Sequence, residues 1–160
     1  MSRRNKGSRN GRSGSKPFVM FYKEMLLHPN FIALSPRALK LLLDVSSNYV
    51  GSNNGDLCVT LKVMKARGWR SNDQLRKALA ELEYYEFLTM TRQGGRNHCS
   101  LFALGWFAID HCKGKHDCKE TTLPVNGWKK EREAFDWKKL GLGRSAVFGR
   151  SLVRTNKPSH

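Results

Sequence analysis

The stretch Thr60–Tyr85, TLKVMKARGWRSNDQLRKALAELEYY, decides the fold. Thr60 is placed to cap a short helix that runs through Arg67 and ends at Gly68, a residue that tolerates a left-handed stop. After Trp69-Arg70, Ser71 and Gln74 have the spacing of a capping box, so another helix opens there and runs on to Tyr85. Leu75, Ala78, Leu79 and Leu82 fall along one side of it and are expected to face a core. The opposite face carries Asp73, Arg76, Lys77, Ala80 and Tyr84. Two short helices joined by a tight, glycine-containing turn make a helix-turn-helix pattern.

Upstream, Phe18–Tyr22 leads into a helical turn over Lys23–His28, which Pro29 is expected to stop. Ser35-Pro36 is a helix start, a hydroxyl cap followed by proline in the first helical position. The segment to Tyr49 places Ala38, Leu42, Val45 and Tyr49 on one stripe, widened by Leu39, Leu41 and Leu43. Residues 50–55 are turn chemistry, and Leu57-Cys58-Val59 is a short strand. Downstream, Phe87–Thr91 reads as a strand, Gln93–Asn97 as a glycine-rich turn and Ser100–Leu104 as the returning strand. The expectation over residues 17–110 is an α+β fold: a winged helix-turn-helix, with three helices, a small antiparallel sheet and a wing.

Phe31–Ala38, the turn Asn53–Leu57, Ala78–Leu82 and Phe102–Trp106 with Ile109-Asp110 resemble small winged-helix proteins of bacterial phages, prophages and plasmids. The resemblance covers residues 17–110 and implies the fold. Similar domains serve in replication initiators and regulators, so it also implies a nucleic-acid setting. The basic arms lie outside it.

Lys and Arg number 29 against 13 Asp and Glu, a formal net charge of +16. A one-sided charge of this size argues for an anionic partner and against a simple small-molecule enzyme. Residues 1–16 hold six cations and no acid, residues 17–110 a net of +3, and residues 111–160 a net of +7. The first sixteen residues, with Arg3 and Arg4, contain almost nothing apolar and are expected to be a disordered basic arm. After the winged-helix unit come a loop or linker over 111–127, a short helix over 128–140 and a basic tail over 141–160. That tail repeats Gly-Arg-Ser around Arg144 and Arg150 and reads as phosphate-seeking. No apolar run follows Arg3-Arg4 as a signal peptide would require, and none approaches transmembrane length. Four scattered cysteines suit a reducing compartment, so a soluble cytoplasmic protein is the expectation.

In a winged helix on duplex DNA, the third helix enters the major groove and the wing meets a minor groove or the backbone. Arg76 is then placed for guanine and Asn72 for adenine, with Lys77 and Arg70 on phosphate. Arg92 and Arg96 flank Gly94-Gly95 at the wing tip. Asp73 dissents, since a carboxylate repels phosphate. Two Trp-Lys-Lys triplets, at Trp128-Lys129-Lys130 and Trp137-Lys138-Lys139, have two readings. They stack bases while pairing phosphates, or Trp128, Phe135 and Trp137 dock the segment on the winged helix; docking is favoured.

His111, Cys112, His116 and Cys118 lie within eight residues, but their spacing matches no standard zinc finger or ribbon. Zinc on Cys112, His116 and Cys118 would have to recruit Cys99 or His98, so the expectation is no metal and no cofactor, and an exposed loop leaving the domain. No phosphate-cradling glycine loop, clustered carboxylates or nucleophile–base pair is present, which argues against an enzyme. The leading expectation is duplex DNA binding in regulation or replication. A structured-RNA or ribonucleoprotein binder, and a phage-type inhibitor docked on a host nucleic-acid-processing complex, are the rivals. A homodimer contact would come from Phe18–Leu27 or the carboxy-terminal helix.

Overall fold

In the computed structural model, which describes residues 17–138, hydroxyl side chains start three of the helices. Ser35 Oγ accepts from the Ala38 N–H ahead of α3 (Pro36–Ser46), with Pro36 in its first turn. Thr60 Oγ1 accepts from Val63 N–H ahead of α4 (Leu61–Met64), which tightens into a 3-10 turn over Lys65–Arg67. Ser71 Oγ accepts from Gln74 N–H ahead of α5 (Asn72–Tyr84). Gly68 closes the α4 turn at φ +87°, a conformation an L side chain rarely adopts.

Two shorter helices precede these, α1 (Lys23–Leu26) and α2 (Pro29–Ile32). Pro29 therefore starts a helix, where its missing N–H costs nothing, as well as interrupting the turn before it. The His28 ring caps α2 by accepting from Asn30 N–H. Three strands, β1 (Leu57–Cys58), β2 (Leu88–Arg92) and β3 (Leu101–Leu104), form an antiparallel sheet in the order β1-β3-β2. The β2–β3 register slips between Met90 and Arg92, where the pair approaches its connecting loop.

The core lies between α3, α5 and the sheet. Leu41, Leu42 and Val45 of α3 are buried with Leu75, Ala78, Leu79 and Leu82 of α5 and with Phe87, Leu88, Phe102 and Leu104. Leu43, expected to widen the α3 stripe, is half exposed instead. Trp106 closes one end: Phe21 packs on its ring, and its indole N–H donates to Met20 O, which fixes the chain entering α1. Glu86 turns the chain out of α5 at φ 57°, and Gly105 passes so close to the Glu86 carbonyl that any β-carbon there would collide with it.

Two expectations for the carboxy-terminal part are corrected. The segment 111–127 does not leave the domain as a linker. Asp117 N–H donates to Thr91 O, Thr121 N–H to Ile109 O and Asn126 N–H to Gly105 O, so it folds back along the sheet. The helix expected over 128–140 is also absent among the described residues: a 3-10 turn over Gly127–Lys129 is followed by chain without regular structure through Asp136. Tertiary partners replace the helical hydrogen bonds, since Arg132 N–H donates to Asn30 Oδ1 and Phe135 N–H to the Tyr85 hydroxyl. Asn30, fully buried, also donates to the carbonyls of Trp128 and Lys130. Among the described residues, no helix is long and apolar enough to cross a membrane.

Candidate nucleic-acid interface

The hairpin of α4, its 3-10 turn and the start of α5 is held by its back. The Trp69 indole N–H donates to Asp44 Oδ2 on α3 at 2.7 Å, and Lys40 bridges Asp44 and the Arg67 carbonyl. Leu61 and Met64 turn inward, Met64 fully buried. The remaining side is solvent-facing: Lys62, Lys65, Arg67, Arg70, Asn72 and Arg76 are all exposed. Residues 61–77 contain six cations and one carboxylate, a net of +5. Residues 17–138 as a whole hold 18 cations and 13 carboxylates, again a net of +5. The rest of the described chain is therefore neutral, and its whole excess of positive charge lies in this hairpin.

Within it, the carboxylate is already engaged. Asp73 pairs with Lys77 one turn on, at 2.8 Å. The hydrogen bond from Lys77, helped by the charges of Lys77, Arg76 and Arg37, holds the Asp73 carboxyl below the usual range. Asp73 thus occupies Lys77, which is half-buried and less available to a phosphate than expected. Lys62, Lys65, Arg70 and Arg76 have no carboxylate within ion-pair distance among the described residues. Lys62 and Lys65, exposed on the same hairpin, were not among the residues singled out from the sequence. The signal for them was present, because they flank inward-facing Met64 in a helix with one buried side.

The outward face of α5 is shorter than its periodicity implies. Ala80 is buried and Tyr84 half-buried, so only its first turn and a half, through Arg76, is open. Glu81 is buried as well, and its two oxygens accept from the Ser35 N–H and hydroxyl, each at 2.6 Å, tying α5 to the start of α3.

At the β2–β3 loop the two arginines part company. Arg96 is exposed at the tip, beside the Gly95–His98 bridge. Arg92 turns inward: Nη1 donates to Lys115 O at 2.7 Å and Nη2 to Cys99 O at 3.0 Å. It fastens the loop to the segment behind it and is not a free phosphate ligand, contrary to expectation.

The tryptophans of the two Trp-Lys-Lys triplets are docked. Trp128 is 1% exposed, stacked against Phe87 and edge-on to His28. Lys129 pairs with Glu24 at 2.9 Å, while Lys130 is exposed. Trp137 packs on Phe135 and lies under the Arg37 guanidinium, 4.2 Å from its ring centre. The expected contacts Arg3, Arg4, Arg144 and Arg150 lie outside the described residues.

Cys112, His116 and Cys118 do not converge. Their donors go to three different carbonyls: Cys112 Sγ to Asn54 O, His116 Nε2 to Asp110 O and Cys118 Sγ to Thr91 O. Burial pushes both thiols up. Among the described residues, no three His, Cys, Asp or Glu side chains gather as metal ligands. No protein-family model, curated protein or solved structure matches the chain.

Proposed function

We propose that the protein binds duplex nucleic acid, DNA in preference to RNA, as a winged helix-turn-helix. In this reading α3, α4 and α5 are the three helices of the motif and the β2–β3 loop is a short wing. One observation carries it: residues 61–77 hold a net of +5 on a largely exposed hairpin, while the other residues of 17–138 sum to zero. A body whose remaining charges balance and which concentrates cations on one helical hairpin is suited to a polyanion approaching from that side.

The division of labour follows from exposure. Lys62, Lys65 and Arg70 meet phosphates, which set affinity and orientation. Asn72 and Arg76 sit on the open part of α5 and reach base edges. Because α5 is covered beyond that point, it enters a groove by its amino-terminal end. Arg96 adds one contact from the wing tip. The resemblance to phage and plasmid winged-helix proteins makes regulation or replication the setting.

Base stacking on tryptophan, the basis of the RNA alternative, has less support, because Trp128 is buried and Trp137 is covered by Arg37. The test is a salt series with a labelled duplex, competed by structured RNA. Log affinity is expected to fall linearly with log salt, by about 0.9 for each phosphate contact. Changing Lys62, Lys65, Arg70 and Arg76 together to glutamine is expected to flatten that slope by about three to four units. Absence of duplex affinity at low salt, or an unchanged slope in the variant, overturns the proposal.

A further inference from the structure

Cys58 and Cys99 meet where the edge strand of the sheet passes the base of the β2–β3 loop. Cys58 of β1 is the cross-strand partner of Leu101 of β3, and Arg92 of β2 is its partner from the other side. Cross-strand partners share a face of a sheet, so Cys58 and Arg92 lie on the Leu101 face. Cys99, two residues ahead of Leu101, is on that face too: Arg92 Nη2 reaches its carbonyl at 3.0 Å and its Sγ at 4.0 Å. The Cys58 sulfur leans the right way to meet it. Cys58 Sγ donates to Thr60 Oγ1 at 3.7 Å, and in an antiparallel pair the residues after Cys58 run beside those before Leu101.

The two thiols are diagonal neighbours and both are half-buried, open to a small reagent. Burial, and a hydrogen bond shared with the Cys99 thiol, push the Cys58 thiol up. Cys112 and Cys118 differ, because each donates to a backbone carbonyl of its own, Asn54 O and Thr91 O. Diagonal neighbours sit about 7–8 Å apart at Cα, roughly an ångström more than a disulfide accepts. β1 is two residues long and lies at the sheet edge, so it is the element able to shift by that much. A bridge closed under such strain is the readily reduced kind that suits a reversible switch.

We infer that Cys58 and Cys99 are a redox-responsive pair, closed into a reversible disulfide by a hydroperoxide. The inference does not depend on the duplex-binding reading. Cys99, whose sulfur faces the Arg92 guanidinium, attacks first as the thiolate. Its sulfur takes one oxygen as the O–O bond breaks, giving a sulfenic acid and hydroxide, which takes up the proton Cys99 released. The Cys58 thiol then attacks that sulfur, forming the S–S bond and releasing water. Two thiols lose two electrons and two protons, and hydrogen peroxide becomes two waters. The bridge ties β1, just ahead of the Thr60 cap of α4, to the base of the β2–β3 loop.

The test treats the reduced full chain with hydrogen peroxide, alkylates it with N-ethylmaleimide and maps the cysteines by mass spectrometry. One Cys58–Cys99 bridge within the chain is expected, opened again by dithiothreitol, with Cys112 and Cys118 alkylated. In Cys58→Ser the Cys99 sulfenic acid has no resolving thiol, so dimedone is expected to label Cys99 several-fold more than in the parent chain. Cys58 and Cys99 left as fully alkylated as Cys112 and Cys118 overturn the inference. So do bridges scattered over the cysteines or found only between chains. Equal dimedone labelling of Cys99 with and without the Cys58 thiol counts against it as well.

Discussion

Asn54 has two amide hydrogens and three carbonyls to serve. Fully buried, its Nδ2 reaches the oxygens of Leu104, Phe107 and Ala108 at 2.9–3.2 Å, and its Oδ1 accepts from Leu104 N–H. One side chain thus ties the turn before β1 to the end of β3, and Asp110 reinforces it by accepting from Asn54 N–H. Asn54→Ala strands several buried backbone groups at once and is expected to cost about 3 kcal/mol or more in urea unfolding. Glu83 acts in the opposite sense. Burial raises its carboxyl from 4.5 to about 8, and Oε2 has no partner. As pH rises from 4.5 toward 8 the unfolded chain releases this proton while the folded chain keeps it. The stability is therefore full below that window and is lost through it. Glu83→Gln is expected to stabilise the protein at pH 8 by a few kcal/mol, to change little near pH 4, and so to flatten the pH dependence of the urea midpoint.

Among the elements, what was legible in the sequence divides by the range of the interactions involved. The starts at Ser35, Thr60 and Ser71 and the stop at Gly68 rest on groups within three residues, and each was readable. The path of residues 128–138 was not, because its partners Asn30, Tyr84 and Tyr85 lie tens of residues away in sequence. Glu131–Ala134 has helical propensity, which those distant hydrogen bonds override. The same segment accounts for the misjudged face of α5, since Tyr84 is covered by Phe135. The exposure of Arg70, Asn72 and Arg76 was legible from their place at a helix entry. The inward turn of Arg92 was not, because it depends on carbonyls brought by Cys99 and Lys115. The docked segment is expected to be separable from the rest. Phe135→Ala removes its packing on Tyr84 and Trp137, so tryptic cleavage after Arg132 and Lys138 is expected to accelerate several-fold. Far-UV circular dichroism is expected to stay constant, because residues 130–138 contribute no helix.

For the whole molecule, the net charge of +16 separates into +5 in the described residues 17–138 and +11 in residues 1–16 and 139–160. The flanks raise affinity for any polyanion, since counterion release depends on charge more than on shape. The hairpin charge is fixed in space by Trp69, Asp44 and Glu81, which under the proposed reading lets it favour one geometry of duplex over others. These two contributions respond differently to salt and to sequence. If the proposed duplex reading holds, raising the salt erases contacts made by charge alone, while the proposed base-edge contacts of Asn72 and Arg76 persist relative to them. Arg76→Ala in the full chain is therefore expected to lower affinity for a selected duplex by about 1–3 kcal/mol while changing random-duplex affinity much less. Removal of residues 139–160 should weaken both duplexes equally and flatten both salt slopes by up to about 4.5 units, five phosphate contacts at about 0.9 each. Selection of bound sequences from a random pool, followed by anisotropy titrations at two salt concentrations, measures each term. Equal losses on selected and random duplexes for Arg76→Ala would mean that α5 contributes only charge.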